Sequence, residues 1–143
     1  MIDFFKATME DAKLIYDWRL DPESMKQSHQ TNSFSFESHL KWFEQSIQSQ
    51  NREIYLAKVN GVQVGMVRRD LKVSGQTEPI WLLSWLIAPS QRGKGFGKKM
   101  LADFIDKFPS RYEAEVKAGN EASVKMAENA GLKLSVLTFR NYE

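Results

Sequence analysis

"QRGKGFGKKM", Gln91–Met100, sets three of the chain's eight glycines at alternate positions, 93, 95 and 97, between an apolar run and a helical pattern. Glycine lacks the Cβ that blocks close approach of a backbone N–H to an anion, and it accepts turn dihedrals closed to other residues. A helix starting here adds N–H groups without intrahelical partners and the positive end of its dipole. Arg92, Lys94, Lys98 and Lys99 bring four cations within eight residues. Together these features suit a pyrophosphate. The same residues also read as a plain strand-to-helix turn with solvated lysines. Two common phosphate loops are excluded. Gly93-x-Gly95-x-x-Lys98 has lysine where a dinucleotide fingerprint needs its third glycine, and no Gly-Lys-Ser/Thr follows a four-residue gap.

Working outward, "IWLLSWLIA", 80–88, is apolar at nearly every position, as expected of a central strand buried on both faces. Before it, "REIYLAKV" and "VQVGMVRRDL" alternate with period two around Asn60-Gly61, which predicts a tight type I′ hairpin. Phe36, Leu40, Phe43 and Ile47 recur at helical spacing, so "FESHLKWFEQSIQS" reads as an amphipathic helix. Nearer the start, "DFFKAT" reads as a strand. Thr8 and Asp11 make an approximate capping box for a helix carrying Leu14, Ile15 and Trp18, which Asp21-Pro22 ends. After the glycines, Met100, Leu101, Phe104, Ile105 and Phe108 share a helix face that Pro109 closes. "YEAEVKA" is a strand, Asn120 caps "EASVKMAENA", Gly131 turns the chain, and "LKLSVLTFRNY" is expected as a last strand. The order β-α-α-β-β-β-α-β-α-β predicts an α/β fold with a mixed sheet and helices on both faces.

Neither repeats nor a linker divide the 143 residues, so one domain over 1–143 is expected. Twenty basic against 18 acidic residues leave a net charge of +2, which gives no general case for nucleic acid. With no cysteine, disulfides, thiolate-bound zinc and a cysteinyl acyl-enzyme are excluded. The acidic start "MIDFFKATMEDAK" is unlike a signal peptide. The longest apolar run is about half of the ~20 residues that span a bilayer. A soluble, cytoplasmic protein without a bound metal and without a membrane partner is the expectation.

"RGKGFG", Arg92–Gly97, resembles the Arg/Gln-x-x-Gly-x-Gly/Ala signature of the GNAT superfamily of acyl-CoA-dependent N-acyltransferases. An apolar strand ending "LIAP" precedes it, and "VKAGNEASVKMAENAGLKL" is similar to the family's second signature. The resemblance covers essentially the whole chain, most specifically residues 80–132. It implies a GNAT fold with splayed fourth and fifth strands, and acetyl-CoA as co-substrate. By the same resemblance, Leu86, Ile87 and Ala88 offer backbone groups to the pantetheine arm. Arg92, Gly93, Lys94, Gly95, Phe96, Gly97 and Lys98 hold the pyrophosphate. Asn120, with Ser123 nearby, caps the next helix and meets the pantetheine.

Acetyl transfer to an amine needs a proton acceptor and a polarised carbonyl. Glu115 resembles, in position, a glutamate of ribosomal-protein alanine N-acetyltransferases; with Glu113 and Lys117 it reads equally as the solvated face of a strand. His39, beside the Phe36–Phe43 stripe, is the second catalytic candidate and reads equally as a packed residue. Glu78 ranks below both. Ala127 stands where many relatives carry an acid tyrosine, leaving Tyr112, Tyr142 or solvent. "DAKLIYDWRLDPESMKQS…FSFESHLKWF" is similar to short bacterial members that acetylate nucleotide-linked amino sugars, matching at Asp11, Leu14, Trp18, Arg19, Glu37, His39, Trp42 and Phe43. The implied partner is a small-molecule amine, the enzyme being a monomer or homodimer. A ribosomal-protein-type N-terminal acetyltransferase and a silent acyl-CoA-binding module are the alternatives.

Overall fold

The computed structural model describes residues 1–28, 32–73 and 78–142. Strand β1 (Asp3–Lys6) leads through a short 3-10 turn to helices α1 (Ala12–Leu20), α2 (Pro22–Gln27) and α3 (Phe36–Gln48). Strands β2 (Arg52–Val59), β3 (Val62–Val73) and β4 (Ile80–Ile87) follow, then α4 (Phe96–Lys107), β5 (Arg111–Ala114) and α5 (Glu121–Asn129). The five strands lie in sequence order in one sheet, antiparallel from β1 to β4 and parallel between β4 and β5.

Alternation along the strands divides the core. Tyr55, Ala57, Val67 and Leu83 pack with Met100, Leu101 and Phe104 of α4 and Met126 of α5. Ile54, Leu56 and Met66, pointing the opposite way, pack with Ile15 and Trp18 of α1 and Phe43 of α3. The mixed sheet with helices on both faces is therefore present. The hairpin turn is also as expected, with Asn60 at φ 50° and Gly61 at φ 80°. At the first helix, the Asp11 carboxylate accepts from the Thr8 N–H at 2.8 Å.

Three expectations are corrected. Asp21-Pro22 does more than end α1: the Asp21 carboxylate accepts from the Ser24 N–H at 3.2 Å and Pro22 opens a further helix, α2. The strand expected over 112–118 stops at Ala114. The closing strand over 132–142 does not form; Leu134, Val136, Leu137 and Phe139 stand exposed, Phe139 at 88%. Alternating sequence prepares a strand, but a strand also needs a neighbour's hydrogen bonds, and β5 offers only four residues of edge. Of "VSGQTEP", 73–79, which the sequence leads one to expect as a loop, residues 74–77 lie outside the described residues.

Gly65, opposite Ile87 on β4, fixes the separation of the two central strands. A Cβ there would lie 2.5 Å from the Leu86 carbonyl oxygen and 2.9 Å from Met100 Sδ. Since the first of these atoms is backbone, Gly65→Ala is expected to cost about 1–3 kcal/mol by forcing the strands apart. Urea unfolding measures this. An unchanged midpoint would show that the sheet yields easily here.

Candidate active site

The site begins where β4 loses one neighbour. Ile80 to Leu83 pair in parallel with Arg111 to Ala114, whereas Ser84 to Ile87 continue to pair with β3 alone. The two strands splay at that point. The Ala88 N–H donates to the Val64 carbonyl at 2.8 Å, which fixes the phase of the ladder. Backbone groups alternate sides along a strand, so Leu86 and Ala88 face β3 while Trp85 and Ile87 face the splay. Of the three residues expected along a cofactor arm, only Ile87 presents its peptide groups there. Trp85, missed in the sequence because it reads as core, is its companion. The Trp85 indole Nε1 is buried without a hydrogen-bond partner among the described residues, leaving a donor for a ligand to satisfy.

Past β4, a 3-10 turn (Pro89–Gln91) leads into the glycine corner. Gly93 has φ 75° and Gly95 φ 85°, both left-handed, and a Cβ on either would meet nothing within 4 Å. Gly95 is the N-cap of α4, and no side chain caps the helix's first N–H groups. These features make an anion cradle of backbone donors. Gly97 serves another purpose: a Cβ there would lie 3.2 Å from Met126 Sδ, so this glycine lets α4 approach α5. Phe96 packs against the α4-side core. Lys94 and Lys98 are exposed; Lys94 Nζ lies 3.4 Å from Gln91 Oε1, and the Lys98 carbonyl accepts from Asn129.

Arg92 is not turned freely outward. Its Nη2 donates to Asp21 Oδ2 at 2.6 Å and to Ser24 Oγ at 3.0 Å, tying the cradle to the α1–α2 corner. Burial would raise the Asp21 carboxyl, but hydrogen bonds from Arg92 and the Ser24 N–H hold it below its ordinary range. A cleft of about 390 Å³, lined by Asp17, Trp18, Leu20, Asp21, Pro89 and Ser90, opens beside this link. Asn120 caps α5 as expected, its side chain accepting from the Ser123 N–H at 3.2 Å.

This strand splay, followed by a glycine cradle and a helix N-terminus, has a counterpart among known families. The acetyltransferase (GNAT) domain family matches residues 4–133. The chain belongs to the GNAT acetyltransferase family. No curated protein matches it in sequence. Among solved structures, the aminoglycoside acetyltransferase AAC(6')-Ib in complex with coenzyme A is similar at TM-score 0.75 and 19% identity, over 92% of this chain and 83% of that one. Spermidine N-acetyltransferase from Vibrio cholerae, with CoA and spermine, gives TM-score 0.78 at 15% identity over 91% and 79%. AAC(6')-Iy with a bisubstrate analogue gives 0.67 at 18% over 99% of both chains. At these identities the likeness shows the fold.

In this GNAT domain the two catalytic candidates sit apart. Glu115 is exposed, one residue beyond β5, where that strand has left β4. It lies near Lys72, whose ammonium is pushed up chiefly by Glu113 and also by Glu115. His39 is 1% exposed, with both ring nitrogens engaged: Nε2 is 2.8 Å from the Ala12 carbonyl and Nδ1 is 3.0 Å from Arg19 Nη1. A carbonyl needs a donor and a guanidinium needs an acceptor, so the ring is neutral with its proton on Nε2. This removes His39 as a proton acceptor for a substrate. It orients Arg19 instead. Tyr112 is committed too, donating to the Phe108 carbonyl and accepting from Arg69 Nη1 at 3.0 Å. Burial pushes its hydroxyl up. Among the described residues no three His, Asp or Glu side chains form a group that could hold a metal ion.

Burial first, and then the Arg19 charge, lower the His39 pKa below 6.5, although its bond to Ala12 opposes them. The folded state therefore binds fewer protons than the unfolded state below that pH, and stability falls as pH drops through 6.5 towards the folded value. Thermal unfolding of wild type and His39→Gln between pH 7.5 and 5.5 tests this. The wild type is expected to lose stability more steeply; parallel profiles would place the proton elsewhere.

Proposed function

We propose that this domain transfers an acetyl group from acetyl-coenzyme A directly to a primary amine in a ternary complex, the acceptor being an amino sugar linked to a nucleotide. The observation that carries acyl transfer is the release of β4 from β5 beyond Leu83, beside the glycine cradle. N–H groups from Gly93 to Lys98 hold the pyrophosphate, supplemented by the exposed lysines. Peptide groups of Trp85 and Ile87 bind the pantetheine arm along the open edge of β4. Structural neighbours solved with CoA together with spermine, or with a bisubstrate analogue joining CoA to an aminoglycoside, support a small amine meeting the thioester in one site.

The amine nitrogen attacks the thioester carbonyl carbon. A C–N bond forms, the C–S bond breaks, and β4 N–H groups face the oxyanion between the two events. Glu115 takes the ammonium proton, directly or through one water, from the splayed side of β5. Ala127 supplies no acid, Tyr112 is engaged and Tyr142 stands exposed to solvent, so solvent protonates the departing thiolate. Because the chain has no cysteine, no thioester forms on the enzyme.

For the acceptor, the supporting observation is a basic aromatic face on the α1–α3 side. Arg19 lies between Phe34 and Trp42, its Cζ 4.3 Å from each ring centroid. A guanidinium held between aromatic rings suits recognition of phosphate.

Thiol release from acetyl-CoA, measured with a panel of amino sugars, sugar nucleotides, polyamines and peptides, tests the reading. Release with sugar nucleotides supports it. Release with basic peptides alone moves the acceptor to protein N-termini, and coenzyme binding without turnover on any amine leaves an acyl-CoA-binding module. Glu115→Gln is expected to lower turnover at neutral pH by about tenfold or more while sparing coenzyme affinity. Unchanged turnover would take Glu115 out of the mechanism. Arg92→Ala is expected to weaken coenzyme A binding in a calorimetric titration, through loss of both its charge and its tie to Asp21.

A further inference from the structure

Three guanidinium groups from different elements converge on one indole. Arg19 of α1, Arg52 at the start of β2 and Arg68 in the middle of β3 place their Cζ atoms 4.3, 5.6 and 5.7 Å from the Trp42 ring centroid. The carboxylate that meets Arg52 and Arg68 is Asp70. It accepts from Arg52 Nε at 2.5 Å and lies 3.4 Å from Arg68 Nε. Arg68 Nε is nevertheless buried without a hydrogen bond among the described residues, and its Nη2 reaches Ser84 Oγ at 3.4 Å. Arg19 donates to the neutral His39 ring. Among the described residues, three positive charges thus face one negative charge.

This arrangement costs stability. The three groups are partly withdrawn from water, and burial together with Arg68 and Arg52 brings Arg19 down to about 10. Apolar side chains of similar volume would fill the space more cheaply. What the cluster provides is a set of preorganised donors for an anion of higher charge than one carboxylate. A cavity of about 360 Å³ opens on the Arg52–Asp70 side of the cluster, lined by Trp42, Gln45, Ser46, Asn51, Arg52 and Asp70 among others; of the three arginines it touches Arg52, with Arg19 and Arg68 reached past the Trp42 ring they share with it.

The register relates this cavity to the acyl site. Asp70 stands opposite Leu82 and Arg68 opposite Ser84, whereas the splay exposes Trp85 and Ile87. At ~3.4 Å per residue, roughly 10–17 Å along β4 separates the level of Asp70 from the open backbone. An anion at the arginines can therefore carry a sugar ring towards the thioester. Three guanidiniums at the same place repel a polycationic amine.

We propose that Arg19, Arg52 and Arg68, gathered around Trp42, form the subsite for the diphosphate of a nucleotide-linked acceptor and select acidic acceptors over polycationic ones. This rests on the acyl-transfer reading above and adds to it the residues that recognise the acceptor.

The test is a titration of the full chain already saturated with coenzyme A, so that the glycine cradle is occupied. Uridine diphosphate, spermidine and glucosamine are added separately and followed by heat and by tryptophan fluorescence. Uridine diphosphate is expected to bind at least tenfold more tightly than the other two. Arg19→Met and Arg68→Met are each expected to weaken it at least tenfold without changing coenzyme affinity, and Arg68→Lys to weaken it less. Absence of uridine diphosphate binding to the saturated wild type overturns the subsite, as does equal binding by the methionine variants or a preference for spermidine. The two readings fail separately. If uridine diphosphate binds as expected but no amine is acetylated, the enzymatic reading falls and the subsite stands. If coenzyme A does not bind, the same titration of the coenzyme-free chain, with Arg68→Met as control, decides the subsite.

Discussion

The unequal treatment of the two edges of β4 is the constraint on which the rest depends. On one edge, β3 holds the strand from Ile80 to Ile87, and Gly65 lets the backbones come close enough for that ladder to persist to the Ala88–Val64 bond. On the other edge, β5 departs after Ala114. A strand released on both sides would lose its geometry, and one paired on both sides would have no groups to offer. Held from one side, β4 keeps its ladder with β3 and leaves the peptide groups of Trp85 and Ile87 on the edge that β5 no longer pairs. The Trp85 side chain packs on the α4-side core, its Nε1 buried without a hydrogen-bond partner among the described residues.

The cradle after β4 depends on that anchored strand for its position. Two left-handed glycines aim the backbone at the start of α4, while Gly97 lets α4 lie against Met126 of α5. Three glycines in five residues thus divide between two tasks, left-handed turning of the backbone and helix packing. Arg92 links the cradle to the opposite layer through Asp21, which also caps α2. One carboxylate therefore joins the helix pair above the sheet to the glycine corner.

The fold was legible because its strongest signals are local. The Asn60-Gly61 hairpin, the α3 and α4 stripes and the Asn120 cap each require only neighbouring residues to agree. What was not legible depends on partners distant in sequence. Alternation in 132–142 predicts a strand, but nothing local shows that β5 ends too early to pair with it. The phase of β4, which turns Ile87 and Trp85 outward and Leu86 and Ala88 inward, follows from its register with β3. His39 lay beside an apolar stripe, compatible with a base or a packed ring; the bonds to Ala12 and Arg19 decide between them. For Arg68 there was a signal. "RRD", 68–70, places charge in the interior of a twelve-residue strand, and alternation sends Arg68 and Asp70 to one face and Arg69 to the other.

Those two faces show how the same residue types serve different ends. On the α4 side, Arg69 is matched: Glu53 accepts from its Nε at 2.8 Å, Tyr112 shares its Nη1, and its Cζ stacks 4.4 Å from the Trp81 ring centroid. Each guanidinium nitrogen finds an acceptor, and although burial is the largest single effect, Glu53 and Tyr112 together outweigh it and leave the guanidinium more firmly protonated than usual. On the α1–α3 side, Arg68 next to it in sequence is pulled the other way, since burial, helped by Arg52, outweighs the attraction of Asp70. A fold able to satisfy Arg69 so fully had the means to satisfy Arg68. Leaving a buried nitrogen and surplus positive charge on the face that borders the splay is a cost with no return in stability. An anion bound there would supply the acceptors that the fold withholds, which is the basis of the subsite proposed above.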